Sequence, residues 1–142
     1  MLSDGNYTID VTLEGGSGRS TVKSPTEIFV EDGRIQAEIE WSSPNYDYME
    51  INGKEYYPIN DSGNSRFLID VASLDSDIPV SAETVAMSQP HLIDYTFYFD
   101  SSTAQKELNS NAVTFVSVIA VVLAVTAVSA ILFRRKKSND KK

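Results

Sequence analysis

The sequence predicts an all-β domain, an immunoglobulin-like antiparallel β-sandwich, followed by a single C-terminal transmembrane helix. Three features of the chain predict it. Apolar residues alternate with polar ones at period two, the spacing that puts every second side chain on one face of a strand. Glycine-containing dipeptides of the kind that close tight hairpins lie between the alternating runs. Near the C-terminus a stretch of 22 residues, 112–133, carries no charge.

The first run is Tyr7, Ile9, Val11 and Leu13, set against Thr8, Asp10 and Thr12. Ile35, Ala37, Ile39 and Trp41 alternate with Gln36, Glu38 and Glu40, and Phe67, Ile69 and Val71 repeat the pattern. Ile93, Tyr95, Phe97 and Phe99 form the last run. No window here sustains a 3.6-residue period, so helices are not expected in the soluble part. Asp32-Gly33 joins EIFVE to RIQAEIEW and Asn52-Gly53 joins YMEI to KEYYPI, each predicting a two-residue hairpin loop. EGGSGRS and NDSGNS read as flexible loops. About seven to nine short strands in roughly 100 residues, each with one polar face, define the sandwich class.

The domain plan follows from composition. Residues 1–100 form the sandwich, 101–111 a polar stalk, 112–133 the membrane helix and 134–142 a basic tail. At about 1.5 Å rise per residue, AVTFVSVIAVVLAVTAVSAILF crosses a hydrocarbon core of roughly 30 Å. Residues 1–111 hold 6 Lys+Arg and 19 Asp+Glu, a net charge of −13; the tail RRKKSNDKK holds 6 and 1, a net of +5, and the two sum to −8. Basic residues beside a span mark its cytoplasmic side, which places the acidic domain outside. MLSDGNYTID has neither a basic n-region nor an apolar h-region, so a signal peptide is expected to have been removed ahead of it. A tail-anchored protein facing the cytosol is the other arrangement the charges allow.

Chemistry is narrowed by what the chain lacks. With no cysteine, disulfides, redox thiols and Cys-ligated metals are excluded. One histidine, His91, leaves little room for a nucleophile–base pair, and GGSGRS lacks the lysine and the helix of a phosphate loop, so catalysis is not expected. The acidic balance argues against nucleic acid as a partner.

The methionines stand out. Met49 ends the aromatic-rich stretch SSPNYDYM, where a thioether could serve as core filler or as a ligand. In IPVSAETVAM the inward set is Ile78, Val80, Ala82 and Ala86, so Met87 falls on the opposite parity with Val85. If residues 88–91 turn the chain, Leu92 and Tyr98 return on that same outer face. The result is an exposed apolar patch, and such patches usually bind something. Thioether sulfur is a soft ligand suited to haem iron.

WSSPNYDYM, GKEYYPI and LDSDIPVSAETVAMSQPHLIDYTFYFD, with the apolar span and basic tail, resemble the streptococcal cell-surface haem-binding proteins of the Shp type. More distantly they resemble the near-iron-transporter (NEAT) domains. The resemblance covers roughly residues 5–101. It implies a sandwich that holds haem between a short helical lip and a late β-hairpin. Met49 on the lip and Met87 on the hairpin would be the two iron ligands. Ser42 and Ser43 would bond a haem propionate, and Tyr46 and Tyr48 would pack on the porphyrin. The Y-x-x-x-Y motif of NEAT domains is missing, Tyr95 and Tyr98 standing in the last strand instead, and His91 and Tyr95 remain as substitute ligands. The implied function is a membrane-anchored, cell-surface haem-binding protein of a Gram-positive bacterium that captures haem from a donor protein and relays it to a transporter's substrate-binding protein. The alternative is an adhesion or scaffold module without a cofactor, contacting protein or glycan through its tyrosines.

Overall fold

A computed structural model describes residues 1–108. The membrane span, the basic tail and the end of the expected stalk lie outside the described residues.

Eight strands follow in chain order: β1 (Gly5–Gly15), β2 (Thr26–Glu31), β3 (Arg34–Glu40), β4 (Tyr46–Ile51), β5 (Lys54–Tyr56), β6 (Arg66–Val71), β7 (Ile78–Thr84) and β8 (His91–Lys106). All pair antiparallel in one continuous sheet, ordered β5-β4-β7-β8-β1-β2-β3-β6. The all-β antiparallel expectation therefore holds. The two leaves of the sandwich are halves of one sheet that bends back on itself at β1.

The two hairpin dipeptides act as expected. Asp32 and Gly33 have φ of 51° and 75°, and Asn52 and Gly53 have φ of 51° and 78°. Left-handed φ at both central residues is the turn whose twist matches that of the flanking strands. They fix the registers Glu31↔Arg34 and Ile51↔Lys54. Register decides what is buried, because a one-residue slip would turn every side chain to the other face.

The alternating runs form the core. Tyr7, Ile9 and Val11 from β1, Ala37 and Ile39 from β3, Phe67, Ile69 and Val71 from β6, and Tyr95, Phe97 and Phe99 from β8 are buried in one cluster that includes Trp41. Burying such side chains contributes about 1.5–3 kcal/mol each before chain entropy is set against it.

One boundary differs from expectation. Ser101 to Lys106 are not stalk but the end of β8, pairing Gln105 with Thr8 and Lys106 with Tyr7. Polar composition hid the strand, because a bulge interrupts the alternation. The Thr103 hydroxyl donates to the Asp100 carbonyl at 2.7 Å and accepts from the Asp10 amide at 2.8 Å, while the Ser102 amide donates to the Asp100 carboxylate at 3.0 Å. The domain therefore reaches at least Lys106.

Met49 is among the largest fully buried side chains, on β4 opposite Tyr56 and Ala82. We expect Met49→Ala to destabilise the fold by about 2–5 kcal/mol, the transfer and cavity cost of a truncated core methionine. Urea unfolding followed by circular dichroism measures this, and an unchanged midpoint contradicts the packing described.

Candidate functional site at the β7–β8 hairpin

The chain passes from β3 to β4 across one end of the sandwich through Trp41 to Asn45, and the β7–β8 hairpin projects beside that crossing. The Val85 amide joins the two by donating to the Asn45 carbonyl at 2.9 Å. The crossing is pinned from its other flank as well. Trp41 N donates to the Ser65 carbonyl at 2.9 Å, Ser42 N to the Thr21 carbonyl at 2.8 Å, and Ser65 N to the Ser43 carbonyl at 3.0 Å. Here the expected helical lip is corrected: residues 42–45 are bend and turn, with no helix. Their backbone groups bond outward to neighbouring segments, and Pro44 supplies no N–H. Ser42 Oγ accepts from the Thr21 amide at 3.0 Å, and Ser43 Oγ accepts from the Asn45 amide at 3.1 Å. Each hydroxyl keeps its proton to donate.

Beneath the crossing lies an aromatic cluster. Tyr46 stacks on Trp41 with centroids 3.9 Å apart and planes 17° apart; Tyr95 stands tilted to the same indole at 5.1 Å. The two phenol oxygens are 2.7 Å apart and buried, and Tyr46 donates to Ser20 Oγ at 2.7 Å. A phenol has one proton, so with Tyr46 donating to Ser20, Tyr95 is the donor to Tyr46. Burial and that bond push the Tyr95 pKa up to about 12. The glycine loop fits against this ring: Gly16 sits at φ +61°, and a Cβ there would lie 2.9 Å from Tyr95. Composition marked the loop as flexible, but nothing in it signalled this packing. Trp41, Ser20 and Gly16 are the site residues that sequence reasoning missed.

The hairpin tip is apolar and open. Val85 is 39% exposed, Met87 72% and Leu92 60%. The patch is exposed as expected, but not by strand parity: β7 ends at Thr84, Val85 and Met87 lie in the turn, and Ala86, expected inward, is exposed as well; Tyr98 is half-buried further along β8. His91, opposite Thr84 at the start of β8, is exposed too. His91 and Tyr95 are four residues apart on one strand and so share a face.

Two expected members are elsewhere. Met49 points into the core, since its parity on β4 is inward and the ladder to Ala82 holds it there, so its sulfur cannot meet a ligand on the crossing. Tyr48 lies on the outer face. Its hydroxyl donates to Glu50 at 2.8 Å and lies 3.3 Å from Glu55, and its ring meets Tyr57 edge-on at 5.8 Å. The hydrogen bond to Glu50 and the nearby carboxylates hold that phenol protonated far above its usual range. Tyr46 packs on Trp41 and leaves no open ring face of the kind expected for it. Ser42, Ser43, Tyr46, Tyr95, Met87 and His91 are gathered at one end; Met49 and Tyr48 are not.

This antiparallel fold is shared with a NEAT domain of known structure. Two solved structures share it: the NEAT5 domain of IsdX2, a B. anthracis hemophore, in complex with heme, and a single-substitution variant of that domain, also with heme. The first has a TM-score of 0.54 at 17% identity, covering 69% of this chain and 97% of that one. The variant has a TM-score of 0.58 at 17% identity, covering 70% and 97%. No protein-family model matches the sequence, and no curated protein does.

Tyr95 makes stability depend on alkaline pH. Its pKa is about 12 in the folded chain and about 10 unfolded. Between those values the unfolded chain loses a proton that the folded chain keeps, so stability falls as pH rises through that window. Tyr95→Phe should lessen this fall, at a cost near neutral pH of about 0.5–1.5 kcal/mol for the lost hydrogen bond. Urea midpoints across the window, wild type against variant, measure both.

Proposed function

We propose that this chain is a haem-binding module of the cell surface. The observation that carries the reading is the exposed Val85, Met87 and Leu92 tip beside His91 and the buried Tyr46–Tyr95 pair, on the fold whose solved examples hold heme. An apolar macrocycle covers such a tip favourably, at about 25 cal/mol per Å² of apolar surface removed from water. With Met49 in the core, the iron-ligating groups left at this end are the Met87 thioether and the His91 imidazole, both accessible. Tyr95 is held back by its bond to Tyr46. A thioether is a soft ligand for haem iron, and on an open hairpin it holds haem exchangeably, which suits capture from a donor protein and relay to an uptake system. The role is binding rather than catalysis.

Haem titration of the full chain should give one saturable Soret band. Met87→Ala and His91→Ala should each weaken binding about tenfold, equivalent to roughly 1.4 kcal/mol, and Met49→Ala should leave the spectrum unchanged. No Soret change in wild type, or Met87→Ala and His91→Ala both binding as tightly as wild type, overturns the reading.

The same proposal places the domain outside the cell, anchored by residues 112–133 with RRKKSNDKK inside. Protease added to intact cells should then remove the β-domain. Its survival, while a control surface protein is digested, contradicts this orientation.

A further inference from the structure

The β7–β8 hairpin and the chain's path toward residues 112–133 lie at opposite ends of one strand. β8 begins with His91 at the candidate site and ends with Lys106, which pairs with Tyr7 near the start of β1. On the ladder with β1, Tyr95 is level with Gly15 and Lys106 with Tyr7. At about 3.3 Å per residue that length of β1 is roughly 26 Å, and the residues from Tyr95 back to His91 add about 13 Å. The bulge in β8 adds chain but no height, so Lys106 and the hairpin stand roughly 40 Å apart. Several elements build the Lys106 end. Gly5 pairs with Val30, and the Asp32 amide donates to Asp4 Oδ1 at 3.0 Å, which ties the Asp32-Gly33 turn to the start of β1. Val71, the last residue of β6, pairs with Ile35 beside that turn. A cleft there is lined by Gly33 and Ile35 together with Asn52 and Lys54, so the Asn52-Gly53 turn lies at the same end.

The tether from this end is short. The Glu107 amide donates to the Asn6 carbonyl at 2.8 Å, so the chain is still held to β1 one residue past β8. Only residues 108–111 separate that bond from the uncharged stretch 112–133. Four residues span at most about 14 Å when fully extended, a third of the distance to the hairpin. Charge opposes tipping as well. Residues 1–111 carry 6 Lys+Arg and 19 Asp+Glu, or −13, and laying such a domain on its side would press carboxylates against an anionic lipid surface. Standing on the Lys106 end brings the fewest of them near it.

We propose that the domain stands end-on at the bilayer, with the Asp32-Gly33 and Asn52-Gly53 turns toward the headgroups and the β7–β8 hairpin facing away. The exposed Val85, Met87 and Leu92 tip is then an interaction surface for a water-soluble protein domain arriving from the aqueous side, and a protein confined to the same bilayer does not reach it. This inference rests on the anchoring by residues 112–133 proposed above.

Energy transfer in lipid nanodiscs tests the posture. The chain has no cysteine, so one introduced cysteine takes a donor dye at a single place. Gln89→Cys marks the hairpin and Ala72→Cys the end of β6 beside the turns; both positions are exposed, and circular dichroism of each labelled full-length variant reports the fold. The nanodiscs hold phosphatidylcholine, phosphatidylglycerol and a rhodamine-headgroup lipid as acceptor. The roughly 40 Å difference in height should make transfer from position 72 at least about twofold greater than from position 89. Maleimide-coupled serum albumin, a protein-sized probe, should attach to position 89 in nanodiscs as fast as in detergent micelles. Equal transfer from the two positions, greater transfer from 89, or albumin coupling at 89 slowed by the bilayer overturns the end-on posture while leaving the anchor intact. Failure of the chain to co-elute with nanodiscs overturns the anchoring itself, and the posture with it.

Discussion

Through its first half β1 bonds to β2, and through nearly its whole length it bonds to β8; this shared strand is what makes one sheet behave as two leaves. Gly5 to Ile9 pair with Val30 to Thr26, while Asp10 to Gly15 pair with Asp100 to Tyr95. The register shift between Thr8 and Asp10 gives β8 room to bulge and lets the sheet turn. Everything at the functional end depends on that turn. Tyr95 comes from one leaf and Trp41 leaves the other, and they meet only because β1 brings the leaves face to face.

The crossing from β3 to β4 is the second dependency. It spans the open end of the folded sheet, and its backbone bonds to segments on both sides, from Thr21 and Ser65 to Val85. The Ser42 amide and the Ser43 and Asn45 carbonyls, committed this way, are not available to a helical turn. The hairpin therefore projects from a fixed edge, and only its tip, with Met87 and Leu92, is free to meet a ligand.

Much of the fold was legible in the sequence, because period-two alternation and Asp-Gly or Asn-Gly turns are local signals. Ile35 to Ile39, Phe67 to Val71 and Tyr95 to Phe99 read correctly for that reason; Met87 is exposed as expected, but because the turn starts at Val85, before the parity count reaches it. Failures came where the determining partner is distant in sequence. Ser101 to Lys106 look like a linker until β1 is seen to pair with them. Met49 and Tyr48 sit beyond a register shift at Tyr46, so counting parity through SSPNYDYM cannot say which side chain faces inward. The Tyr46–Tyr95 bond joins residues 49 positions apart and has no local signature. Gln36 was read only as the polar half of an alternation, although on β3 it is buried against Asp70 of β6.

The stacking of Tyr46 on Trp41 has an optical consequence. Trp41 is the chain's single tryptophan, so all indole emission comes from directly beneath the crossing, at the hairpin end of the sandwich. Tyr46 in van der Waals contact and Tyr95 nearby are well placed to pass their excitation to it. The protein thus carries its own lamp at one pole and none at the other: a chromophore settling on the hairpin would dim it.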